Sequence, residues 1–170
     1  MEEEVHRILR VDHAGETGAI QIYKAQIAVS RFLYPDIVQT LSEMLEHEIE
    51  HFNTFDELLK KRGIRHCYAL GLWALGGMLL GLVTSILGKN SIWVCTNAIE
   101  TTVLNHLEHQ LEYLQSVDTE AYEAVLSIKN DEESHQQHGA ESQQPSVLNK
   151  PIFGLVSVST AFAIWLSTKL

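Results

Sequence analysis

Two Glu-x-x-His motifs stand out in the 170-residue chain: Glu48 with His51, and Glu132 with His135. Side chains three residues apart on a helix share a face, so each motif offers a carboxylate and an imidazole to one point in space. Each also follows another glutamate at an equal distance. Glu16 precedes Glu48 by 32 residues, and Glu100 precedes Glu132 by 32. Adding 84 maps Glu16, Glu48 and His51 onto Glu100, Glu132 and His135. A single Glu-x-x-His on a surface helix is commonplace and solvated, and His47, Glu46 and Glu50 read that way.

What separates the six is their place on apolar stripes. Glu16 continues the face of Ala19 and Tyr23. Glu48 and His51 interrupt a stripe of Leu45, Phe52 and Phe55. Glu100 lies between Trp93 and Val103, and Glu132 and His135 follow Val125 and Ile128. Four buried carboxylates without compensation would each lose several kcal/mol of hydration and repel one another. Two divalent cations would neutralise them. Glutamate from two helices with Glu-x-x-His from two others is the ligand set of ferritin-like di-iron or di-manganese bundles. Oxygen and imidazole donors without thiolate suit iron or manganese. Cys67 and Cys95 form no Cys-x-x-Cys pair and read as small buried apolar residues, which argues against zinc or iron–sulfur sites. Asp131, just before Glu132, is a candidate to hydrogen-bond the free nitrogen of a ligand histidine. Tyr23, seven residues past Glu16, is a candidate at the site, although packing explains it as well.

The elements that must position these groups are helices. Apolar residues recur near a 3.6-residue period over about 2–32, 36–61, 91–116 and 120–140. Tyr34-Pro35-Asp36 breaks the first pair, Gly63 ends the second segment, and Ser116 to Thr119 supplies turn and cap chemistry. No useful strand alternation occurs, so the expected class is all-α: a four-helix bundle of two repeated helix pairs in one domain over 1–170. Acidic residues outnumber basic ones 22 to 12, a formal charge of −10. That balance excludes a nucleic-acid binder, which needs a basic face.

Mean hydropathy is nonetheless close to zero, at −0.02, because two stretches hold the apolar residues. The 22 residues from Cys67 to Gly88 and the 18 from Pro151 to Thr168 carry neither charge nor histidine. The first is long enough to span a bilayer. A single crossing there would leave Glu16, Glu48 and His51 on one side and Glu100, Glu132 and His135 on the other. If the six meet, 67–88 must enter and return or lie in the interface, broken by its glycines, or else form a long core helix, and 151–168 must pack on the bundle or the bilayer surface. Gly77 and Gly81, at small-xxx-small spacing, allow close helix contact.

The residues around the ligands resemble a family. Leu9 to Glu16, with its Arg-Val-Asp-His-Ala-Gly-Glu run, is similar to the opening motif of the 5-demethoxyubiquinone hydroxylases. So are Glu48-Ile49-Glu50-His51 with Phe55, Glu57 and Leu58, the Glu100 helix with His106, Asp131 to His135 followed by Gly139, and Leu87-Gly88-Lys89. The resemblance covers essentially the whole chain. Thr101 departs from members that carry a second glutamate there. The resemblance implies a monooxygenase of ubiquinone biosynthesis, with two iron ions held by the six residues and dioxygen as co-substrate. It also implies a polyprenylated quinone substrate reached from a membrane surface. His106 would lie near the site and assist electron or proton transfer. No nucleotide-binding glycine motif occurs, so electrons must come from outside, from NADH directly or through a redox partner. Partner proteins of ubiquinone biosynthesis and a homo-oligomer are both compatible with it. A ferritin-like iron-storage or peroxide-scavenging protein is the alternative, disfavoured by the two apolar stretches. The acidic start, Met1 to Glu4, is unlike a leader peptide. The expected location is therefore the cytoplasmic face of a bacterial inner membrane, or else the matrix face of the mitochondrial one.

Overall fold

Tyr34-Pro35 stops the first helix because proline offers no N–H and restrains the residue before it. In the computed structural model, which describes residues 2–170, α1 runs over Glu2–Leu33 and a 3₁₀ turn at Pro35–Ile37 leads into α2, Val38–Arg62. Gly63 closes α2 in the left-handed conformation (φ 65°), its N–H bonding to Leu59 and Lys60 carbonyls; a side chain there would be strained. Then come α3 (Leu70–Ile86), α4 (Lys89–Leu114), α5 (Thr119–Ser142) and α6 (Asn149–Ser167). Asp118 caps α5, its carboxylate accepting the Ala121 N–H at 2.9 Å. Arg62 at the end of α2 holds the same carboxylate with two bonds of 2.7 and 3.0 Å, tying the two helix pairs together. The described residues are all helical apart from turns and loops, as the apolar periodicity predicts.

The helices associate as two pairs, α1 with α2 and α4 with α5, and α2 meets α5 across the middle. Two apolar clusters fill the interior. One contains Leu9, Phe55, Leu107 and Ile128; the other contains Tyr23, Met44 and Trp93. Burying each such side chain contributes about 1.5–3 kcal/mol. On α1, α2 and α4 the six-residue set falls between these clusters in sequence: Glu16 between Leu9 and Tyr23, Glu48 between Met44 and Phe55, Glu100 between Trp93 and Leu107. All six side chains are buried.

α3 corrects one expectation. Its glycines do not break it; Leu70–Ile86 is one continuous helix of 17 residues. At about 1.5 Å per residue it is roughly 26 Å long, less than the ~30 Å hydrocarbon thickness of a bilayer. Its buried positions are small or hydroxylated, Gly77, Gly81, Thr84 and Ser85, and it packs along α1 so closely that a Cβ at Gly77 would overlap the Gly18 carbonyl. Its large side chains, Leu72, Leu75, Leu79 and Val83, face outward and are about half exposed. α6 lies on α4, anchored by Val156, and exposes Leu155, Val158, Phe162 and Trp165. By length and composition α6 is apolar enough to cross a membrane.

Candidate metal centre

The structure brings all six predicted residues together. Glu16 comes from α1, Glu48 and His51 from α2, Glu100 from α4, Glu132 and His135 from α5, and all are buried. Their donor atoms form two overlapping groups: Glu16, Glu48, His51 and Glu132 in one, and Glu48, Glu100, Glu132 and His135 in the other. Within each group the atoms lie within 4.8 Å of one another. Glu48 and Glu132 belong to both. Glu132 straddles them, with Oε1 3.1 Å from His51 Nδ1 and Oε2 3.8 Å from His135 Nδ1. Glu48 Oε1 lies 3.2 Å from His135 Nδ1. The two shared carboxylates are therefore the 84-residue counterparts of one another.

The electrostatics are those of a cation site. Burial, reinforced by neighbouring carboxylates, holds Glu16 and Glu100 well above the ordinary carboxylate range. Burial is the largest effect on Glu48 and acts the same way, but His135, Glu16 and His51 together outweigh it and the net shift is downward. Burial alone would lower His51 and His135; the facing carboxylates raise both. Glu48 Oε1, His51 Nδ1, Glu132 Oε2 and His135 Nδ1 are buried and make no well-formed hydrogen bond. Orphaned buried polar atoms cost about 1–3 kcal/mol each, and these four belong to the predicted ligand set and face one another. The donor set thus fits two divalent ions, each with one imidazole, one carboxylate of its own and two shared.

The surrounding residues set the ligands' orientation. His51 Nε2 lies 3.2 Å from Asp131 Oδ2, the contact expected of Asp131. With that nitrogen donating, Nδ1 is left bare toward the carboxylates. Tyr23 does more than pack: its hydroxyl donates to Glu100 Oε1 at 3.1 Å. His106 occupies a half-buried place along α4. Gln110 donates to its Nε2 at 2.9 Å and to the buried Asp12 Oδ1 at 2.7 Å, and His106 lines a cleft of about 160 Å³ with Arg7, Val11 and Tyr113. Burial pushes Asp12 up to about 7 against the pull of Gln110.

His47, read from the sequence as a solvated residue, is the correction here. Its Nδ1 is 3.0 Å from His135 Nε2, with the rings stacked at 9°. The signal was present in the repeat, since Asp131 less 84 is position 47. Gln110 carries no motif, and Asp12 stood in the Leu9–Glu16 run without a role of its own; only the crossing of α1 and α4 joins them.

The family described as "Ubiquinone biosynthesis protein COQ7" matches residues 3–167. The mitochondrial NADPH-dependent 3-demethoxyubiquinone 3-hydroxylase of Dictyostelium discoideum is 36% identical over 97% of this chain and 77% of its own length. The human enzyme of that name is 34% identical over 98% and 78%. The 3-demethoxyubiquinol 3-hydroxylase of Rhodospirillum rubrum is 31% identical over 97% and 78%. With a family match over nearly all its residues and relatives above 30% identity, the chain belongs to the COQ7 family of ubiquinone biosynthesis proteins.

Proposed function

We propose that the protein is a di-iron monooxygenase of ubiquinone biosynthesis, built as a single ferritin-like domain, that hydroxylates the ring of a polyprenylated demethoxyubiquinone. The observation that carries the reading is the set of four buried, unpaired donor atoms, all within the predicted ligand set and divided between two groups that share Glu48 and Glu132. Two ferrous ions held there would supply electrons to dioxygen, one of whose atoms enters the ring while the other leaves as water. The chain's own residues hold and tune the site. Asp131 fixes the tautomer of His51, Tyr23 positions the Glu100 carboxylate, and the burial of all six side chains excludes bulk water. The electrons come from an external nicotinamide nucleotide. The names of several relatives specify NADPH, and the His106 cleft is a candidate point of entry through Gln110 and Asp12.

The outward apolar faces of α3 and α6 support a monotopic attachment, in which the bundle rests on the membrane and takes its lipid substrate from it. Mitochondrial relatives support a mitochondrial location, where the attachment would be to the matrix face of the inner membrane. In a bacterial cell the corresponding place is the cytoplasmic face of the inner membrane. The same faces weigh against an iron-storage cage, which has no use for them.

The test is complementation. Expression in a host lacking its demethoxyubiquinone hydroxylase should restore ubiquinone, and protein purified in detergent should carry two irons per chain and co-purify quinone. Glu48→Ala should lose iron and activity while keeping its helicity. Failure of the unaltered protein to restore ubiquinone rejects the substrate, and retention of two irons by Glu48→Ala rejects the ligand assignment.

A further inference from the structure

We propose that His13, Asp56 and His66 form a second metal site, separate from the bundle centre, that takes one divalent ion of the zinc class. The three come from different elements: His13 from α1, Asp56 from α2, and His66 from the segment that Gly63 turns back over α2. Their donor atoms lie within 4.8 Å of one another. Both Nε2 atoms address the same carboxylate oxygen. His66 Nε2 is 3.2 Å from Asp56 Oδ1, and His13 Nε2 is 3.6 Å from it.

His13 makes this more than a surface cluster. Its side chain is 1% exposed, yet neither ring nitrogen has a hydrogen-bond partner; 3.6 Å is too long to be one. A buried imidazole left so is costly and needs an explanation. An ion seated between Nε2 and Oδ1 supplies it. The rings of His13 and His66 are nearly parallel, at 11°, with centres 4.9 Å apart, so the two imidazoles lie side by side at the shared Asp56 oxygen. Lys60 takes the other carboxylate oxygen, Asp56 Oδ2, at 2.5 Å. It thereby orients the group and leaves Oδ1 to the ion, as outer partners of metal ligands do. Burial, with the charges of His66 and Lys60, holds the His13 imidazole down at about 4 against the pull of Asp56. At neutral pH it is in the unprotonated form that binds metal. Two histidines and one carboxylate, with His66 half exposed, make an open site whose remaining position water fills.

The probes are Zn²⁺ and, for its visible spectrum, Co²⁺, titrated into metal-free protein. The variants compared are the unaltered chain, His66→Ala, Glu48→Ala and the double variant. His66 sits on the surface, so its removal leaves the fold in place, which circular dichroism checks. Glu48→Ala disables the bundle centre and keeps the count readable whatever that centre binds. The expected result is one Co²⁺ per chain in Glu48→Ala, with a tetrahedral-type absorption. In the double variant the affinity should fall by more than about a hundredfold, at least the loss that removing an outer partner causes. Equal Co²⁺ and Zn²⁺ binding in Glu48→Ala and the double variant overturns the proposal.

Discussion

His47 stands to His135 as Asp131 stands to His51. Each reaches the outward nitrogen of a ligand histidine on the opposite helix pair, at 3.0 and 3.2 Å, and the two occupy equivalent positions of the 84-residue repeat. One is an imidazole and the other a carboxylate, so the repeat is symmetric in its ligands and asymmetric in what supports them. The His51 ring faces a carboxylate, and the His135 ring faces another imidazole.

In iron-loaded protein, His47→Ala should therefore weaken one of the two irons about 10- to 100-fold and leave the other in place. His47→Gln, whose amide oxygen accepts a hydrogen bond, should recover much of the loss. Iron content during graded chelation, with Mössbauer spectra to separate the two positions, measures both. Identical chelation curves for His47→Ala and the unaltered protein would show that the contact does not support the metal.

Sharing of carboxylates makes a second prediction. Glu132 faces both histidines, so Glu132→Ala should empty both positions. Glu16 belongs to one group alone, so Glu16→Ala should leave about one iron per chain. Elemental analysis of the purified variants decides between this pattern and equal losses.

Packing of α3 on α1 can be tested by filling its glycines. A Cβ at Gly81 would sit 2.5 Å from the Ile22 carbonyl oxygen and 2.9 Å from Ala25 Cβ, and backbone cannot swing aside. Gly81→Leu should cost about 3 kcal/mol and lower Tm by roughly 5–10 °C. At Gly76 nothing lies within 4 Å, and Gly76→Ala should raise stability by about 0.5–1 kcal/mol. Thermal melts in detergent provide the comparison.

Asp118 predicts a pH dependence remote from any metal. Its carboxylate is held below the ordinary value of 3.8 by Arg62, and by the Ala121 N–H among others, against the effect of burial. A depressed folded value means the unfolded chain binds the proton more readily. The stabilisation is complete above 3.8 and is lost as pH falls through the folded value. Asp118→Asn should be less stable than the parent by about 1–2 kcal/mol at pH 7, and the gap should close as pH drops below about 4. Denaturant unfolding of metal-free protein at pH 7, 5 and 3 reads it.

The six clustered residues were legible as a set because a repeat is a property of one string: Glu16, Glu48 and His51 and their counterparts could be aligned without knowing how helices cross. Helix boundaries were legible within two or three residues wherever proline, glycine or a cap marks them, as at Pro35, Gly63 and Asp118. His47 and Gln110 were not, and the small-xxx-small spacing of Gly77 and Gly81 pointed to a close helix contact without saying which helix makes it. Periodicity tells which face of its own helix a residue occupies, whereas the partner of His47 sits on α5 and that of Gly77 on α1, at heights set only by packing. The glycines of α3 read two ways in the sequence, as breaks and as points of close helix contact, and the structure takes the second: they are where another backbone comes close.

That close approach bears on how the protein can be engineered. α1 carries Glu16 on one side and cradles α3 on the other at Gly18 and Ile22, so excising 67–88 to obtain a detergent-free version would strip the support from a ligand-bearing helix. A tractable version would keep Gly77, Gly81, Thr84 and Ser85 and replace Leu72, Leu75, Leu79 and Val83 with polar residues, exchanging an exposed apolar face for a polar one without disturbing the helix beneath.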